Sequence, residues 1–180
     1  MKKLIQPGTL LMLGILLTAA LTRLIPHPPN FTPIAAIALF GGAHLERKLW
    51  AFLTPLLIML ISDIGFELLS GIGFHRQMPA VYISFAAIVC MGFGLRSRRR
   101  ISRIAMTTFM ASTLFFIVTN FSVWVLDALY PKNLLGLTAC YTAALPFFGN
   151  QMAGDIFYTA LLFGAWALAQ RRFPIFASTH

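Results

Sequence analysis

Apolar runs of span length alternate along the chain with short polar stretches, and the runs predict membrane helices at about 6–25, 33–45, 49–71, 80–95, 104–125 and 151–170. Six spans leave both termini on one side. The second run is short: Pro33 to Leu45 makes roughly 20 Å of helix, against an approximately 30 Å hydrocarbon core. Thr32 suits an N-cap and Pro33 the first helical position, so this helix is expected to begin there, its positive end favouring an anionic or carbonyl-bearing group.

Two stretches break the pattern. Pro26-His27-Pro28-Pro29-Asn30-Phe31-Thr32-Pro33 holds four prolines in eight residues between the first two runs. Irregular backbone near membrane depth survives where it is buried in protein or lines a wet cavity, which marks this segment as a pocket wall. Tyr130 to Asn150 is too polar to span and too apolar for a free loop. Pro131 and Pro146 bracket Leu134 to Leu145, which reads as a short interfacial or re-entrant helix, a lid over a mouth or a helix resting on lipid with Tyr130, Tyr141, Phe147 and Phe148 in an aromatic belt.

Composition fixes the class. Hydrophobic residues make up 58% of the 180 and charged ones 11%, with a mean hydropathy of +0.80, whereas soluble domains carry about 25% charged residues. The expected fold is an all-α membrane protein, a single transmembrane helical domain over residues 1–180 with about six helices in one bundle.

The net charge of +9 does not point to nucleic acid, because the basic residues punctuate apolar segments rather than coat a face. With the termini in the cytoplasm, eleven basic residues fall inside (Lys2, Lys3, Arg47, Lys48, Arg96, Arg98, Arg99, Arg100, Arg103, Arg171, Arg172) and three outside (Arg23, Arg76, Lys132). That bias predicts an N-in/C-in, multi-pass protein of the bacterial inner membrane. Arg96 to Arg103 reads as a topology anchor touching anionic headgroups. The first run, after Lys2 and Lys3, also has the look of a signal peptide; Arg23 and the prolines directly behind it favour a retained span.

Ionisable groups concentrate at one depth. Asp63, Glu67, Asp127 and Asp155 map to the outer half with Arg23, His27, His75, Arg76 and Lys132, while Glu46 belongs to an inner turn. Carboxylates inside a span are expensive and face a bundle interior or a wet cavity, so Asp63 and Asp155 lead the site candidates. The competing reading pairs them with Arg23 to fix the bundle. Asn120, Trp124, Asn150, Gln151 and Tyr158 lie at similar depth. The expected substrate pocket comprises Arg23, His27, Asn30, Phe31, Asp63, His75, Asn120, Trp124, Asn150 and Asp155.

Enzyme signatures such as His-Glu-x-x-His, Gly-x-Ser-x-Gly or a nucleotide loop do not occur. His27 and His75 lack the regular spacing of metal ligands, and His44 and His180 read as incidental. Cys90 and Cys140 fall on opposite sides and read as small apolar fillers. No cofactor or metal is expected.

The string from Arg23 through the proline segment to Ala43, with Ser62-Asp63, Gly73-Phe74-His75, Tyr82, Thr119-Asn120-Phe121, Tyr130-Pro131-Lys132, Cys140-Tyr141, Pro146-Phe147-Phe148 and Gly154-Asp155, resembles a family of small bacterial membrane proteins described as transport proteins without an assigned substrate. More loosely, size and topology resemble the substrate-binding S components of energy-coupling-factor vitamin transporters. That resemblance implies capture of a vitamin or other small nutrient outside, alone or on an energising membrane partner; a corrinoid with His75 or His27 on cobalt is one form it takes. The Ala-x-x-x-Ala docking face of those subunits is missing from residues 6–25. The leading expectation is therefore a small-molecule transport protein closing over its ligand by alternating access. The alternatives are a membrane accessory or assembly protein gripping a partner chain, and a membrane enzyme acting on lipid or a cofactor.

Overall fold

The computed structural model describes residues 7–22, 28–71, 73–97 and 99–173, with side chains from Met12 onward. They form six helices and no strand: α1 (Pro7–Leu21), α2 (Ile34–His44), α3 (Lys48–Ser70), α4 (Met78–Phe93), α5 (Ile101–Leu126) and α6 (Leu134–Arg172). Three of them, α3, α5 and α6, are long and apolar enough to cross a membrane. The other three are shorter: α1 has 15 residues against the 20 expected, α2 has 11, in keeping with the short second run, and α4 has 16.

The short α2 is the centre of the molecule. All 11 of its residues are buried, enclosed by α3, α4 and α6 with α1 and α5 at its flanks. A helix apolar on every side belongs in an interior, and its small residues set how closely neighbours approach. At the α2–α4 crossing a Cβ on Gly42 would stand 2.3 Å from Val89 O, and one on Gly92 would stand 2.5 Å from Leu39 O. Two glycines facing one another bring the backbones into contact.

The ends of α2 are held differently. At its start Pro33 occupies the cap position, the first helical residue is Ile34, and no side chain caps it. This corrects the expected Thr32 cap by one residue. The chain reaches that point through a tight turn in which Phe31 N donates to Pro28 O (3.0 Å) and Thr32 N to Asn30 O (3.1 Å). Asn30 takes the left-handed conformation at φ 64°, which asparagine tolerates better than most residues.

At its end α2 meets two arginines from the α4–α5 connection. Arg96 Nε donates to Gly42 O (2.9 Å), Arg96 Nη2 to Leu45 O (2.6 Å) and Arg99 Nη2 to Ala43 O (3.2 Å). These terminal carbonyls have no helical partner of their own and carry the negative end of the helix dipole. Burial, and then the charge of Arg96, lower the pKa of Arg99. Two arginines of the run expected to act as a topology anchor thus cap the C-terminus of the central helix. His44, expected to be incidental, lies buried 4.2 Å from the Phe40 ring and 5.1 Å from that of Phe163.

The predicted short helix at 134–145 and the sixth span are one helix of 39 residues. At 1.5 Å per residue it runs about 58 Å, roughly twice the approximately 30 Å hydrocarbon thickness. Pro146 removes a single hydrogen bond, a cost that packing against α5 offsets: Tyr141 Oη donates to Ile117 O (2.7 Å), and the Phe116 and Phe148 rings stand 4.7 Å apart. Asn133 starts the helix, its side chain accepting from Gly136 N at 2.9 Å. Asn133→Ala should lower stability by about 1 kcal/mol, read as a reduced melting temperature in detergent.

Candidate functional site

A cavity of about 470 Å³ opens between α2, α4, α5 and α6 at the end of the bundle where the proline segment lies. Its floor and walls are apolar and aromatic: Ile34, Met59, Phe85, Phe115, Phe116 and Phe147. Polar groups enter from separate elements. Asn30 and Thr32 come from the turn before α2, His75 and Gln77 from the α3–α4 connection, Thr119 and Asn120 from α5, and Gln151 and Asp155 from α6. A concave apolar space with a few converging polar groups is the usual form of a ligand site.

Asp155 is the deepest charge-bearing group in it, at 3% exposure. Ser112 Oγ donates to its Oδ2 at 2.6 Å, and Gln151, one turn earlier on α6, donates from Nε2 to Ser112 O at 2.8 Å. The helix turn that carries Asp155 is pressed onto the proline segment. A Cβ on Gly154 would come 3.0 Å from Phe31 Cα, and the Phe31 ring stands 5.6 Å from that of Tyr158. Phe31 therefore anchors the segment while its neighbours Asn30 and Thr32 face the cavity.

The mouth is braced. Gln77 Nε2 donates to Asp127 Oδ2 at 2.6 Å, tying the start of α4 to the end of α5. Lys132 Nζ donates to the carbonyls of Trp124 and Asp127, and Trp124 Nε1 donates to Pro131 O at 2.9 Å. Lys132 and Trp124 are thereby occupied in closing the α5–α6 turn.

Of the ten expected pocket residues, Asn30, His75, Asn120 and Asp155 line the cavity together. Phe31 supports it from behind. Asp63 is buried, at 2% exposure, but lies outside the lining, with the Tyr82 hydroxyl 3.5 Å from its Oδ2. Trp124 is likewise outside, held at the turn, and Asn150 on α6 does not reach the lining. Arg23 and His27 fall outside the described residues. Glu67 is structural: its carboxylate accepts from Gly73 N (2.9 Å) and Phe74 N (3.2 Å) where the chain turns back on α3.

Sequence reasoning missed Ser112, Thr32, Gln77 and the phenylalanine walls. Thr107, Thr108, Thr113 and Thr119 on α5 each donate to the carbonyl four residues earlier, the usual arrangement of a hydroxyl in a membrane helix. Ser112 alone in that series turns to another helix, and its one sequence signal is a carboxylate that needs a donor at its depth. Among the described residues no group of three or more His, Cys, Asp or Glu side chains is placed to hold a metal.

Searches of curated proteins and of solved structures find no match to this chain. A family model described as a family of unknown function, DUF6580, matches residues 3–176. With nearly its whole length covered, the chain belongs to the DUF6580 family.

Proposed function

We propose that this protein is a membrane protein that binds a small molecule in the cavity beneath the proline segment and carries it across the bilayer. The observation that supports the reading is a buried carboxylate, Asp155, facing a space of about 470 Å³ walled by aromatic rings. Burial of a carboxylate inside an apolar bundle costs stability. A protein tuned for stability alone would fill that space with side chains.

In this reading the proline segment faces outward and both termini lie in the cytoplasm, since eleven of fourteen basic residues fall on the other side of the spans. The cavity then opens to the outside in the form described. The α6 segment ahead of Pro146, which contributes Ala144 to the lining, covers the bound ligand. The chain carries no nucleotide-binding loop, so transport draws on a gradient or an energising partner.

Native mass spectrometry of the detergent-extracted full chain tests this. Wild type is expected to carry a small molecule of defined mass, and Ala144→Trp, which places an indole in the cavity, is expected to lose it while melting within a few degrees of wild type. Vesicles reconstituted with wild type should accumulate the released compound. A wild type that carries no small molecule, or one that the indole does not displace, would falsify the assignment.

A further inference from the structure

We infer that the cavity selects an organic cation, with Asp155 as its counter-ion and the phenylalanine walls as its seat. The inference rests on the reading of this cavity as a small-molecule site and names its ligand class.

Among the described residues the charges facing the space all have one sign or none. Among the described residues no lysine or arginine lines it, whereas two carboxylates do, Asp127 at the mouth and Asp155 at depth. Asp127 already accepts from Gln77 at 2.6 Å. Of the nearby bases, Lys132 is turned onto the carbonyls of Trp124 and Asp127, and Arg76 lies outside the lining. Among the described residues His75, exposed at the rim, is the one titratable base in the lining.

Asp155 makes no ion pair among the described residues; the Ser112 hydroxyl, at 2.6 Å, is its interhelical donor. Neutral donors, the Ser112 hydroxyl and the Gln151 amide, offset a small part of the desolvation of a buried carboxylate, and an opposite charge offsets far more. The α2 N-terminus opens on the same cavity through Ile34 and Ala35. The protein thus supplies the anionic group at depth, and the ligand supplies the cation.

The walls agree with this. Phe85, Phe115, Phe116 and Phe147 present rings from three helices, with Phe85 and Phe115 5.2 Å apart. Ring faces attract ammonium groups, more strongly when water is excluded. Among the described residues an anionic ligand would meet two carboxylates and no base at depth, a like-charge juxtaposition that opposes binding.

The test uses the detergent-solubilised full chain and three probes on one scaffold: 2-phenylethylamine as the cation, 2-phenylethanol as the neutral analogue and 3-phenylpropionate as the anion, titrated by calorimetry. The amine is expected to bind at least about tenfold tighter than the alcohol and the carboxylate weakest. Asp155→Asn keeps the side-chain shape and should bring amine and alcohol to within about threefold of each other. The ranking on wild type decides the question even if the variant does not fold. An alcohol or carboxylate that binds as tightly as the amine, or an Asp155→Asn protein that keeps the amine preference, overturns the cation assignment and leaves the small-molecule site standing. Failure of all three probes to bind overturns both.

Discussion

Gly42→Ala is expected to destabilise the protein by about 3 kcal/mol, at the upper end of what one added methyl costs in a packed interior. The new Cβ would sit 2.3 Å from Val89 O and 3.0 Å from Gly92 Cα. Both obstacles are backbone, so no rotamer change relieves the clash and α2 must separate from α4. Gly92→Ala meets the same interface from the other side, 2.5 Å from Leu39 O. The double variant should therefore cost less than the two single losses added, because one separation accommodates both methyls. At Gly14 and Gly164 an added methyl would meet no atom within 4 Å, and alanine there should be neutral or slightly stabilising by its better helix propensity. Thermal melting in detergent distinguishes these cases, and a Gly42→Ala protein that melts with the Gly14→Ala control would show that the helices are not in backbone contact.

The second large loss should come from Arg96→Ala, about 3 kcal/mol, since hydrogen bonds from charged donors contribute roughly 1.5–3 kcal/mol each and these two share one side chain. The substitution leaves Gly42 O and Leu45 O without their guanidinium donors and removes a cation stacked 4.6 Å from the Phe93 ring. Lysine should recover less than half, because an ammonium cannot present two donors in a fixed fork to two carbonyls. Arg100→Ala, at an exposed position four residues on, should stay within about 0.5 kcal/mol of wild type. If Arg96→Ala and Arg100→Ala melt alike, the arginine run acts on topology alone.

These two effects lie on different sides of what the sequence discloses. The Gly41-Gly42 pair and the alanines around it announce close packing, and the hydropathy runs announce helices, because both signals are local and depend on composition. The partner of Gly42 is not local. Gly92 sits in a different run, and nothing in either run states that the two cross. The same holds for Arg96: a cluster of bases between two apolar runs satisfies the positive-inside rule wherever its side chains point, so a cap that reaches back 54 positions leaves no trace of its own.

The candidate site divides in a similar way. Asp155 is legible because a carboxylate in an apolar helix requires an explanation, and Asn30, His75 and Asn120 because they share its depth. Asp63 is legible as buried, but its place outside the lining is not. Met59, one turn earlier on the same face of α3, reaches the cavity, while the Asp63 carboxylate lies towards Tyr82. Depth along a helix follows from counting residues; direction around it depends on which neighbours fill the space. Pro146 reads as a boundary by the general rule that helices end before a proline, yet interhelical packing onto α5 carries the chain through it.

The complete enclosure of α2 also dictates an order of events during synthesis. Its 11 residues make a helix about 16 Å long, too short to hold a place across an approximately 30 Å hydrocarbon layer unaided. Yet it leaves the ribosome ahead of α3, α4 and α6, which surround it. The centre of the bundle is thus made before the walls around it and is among the last parts to reach its seat, waiting for a socket that later segments have yet to build.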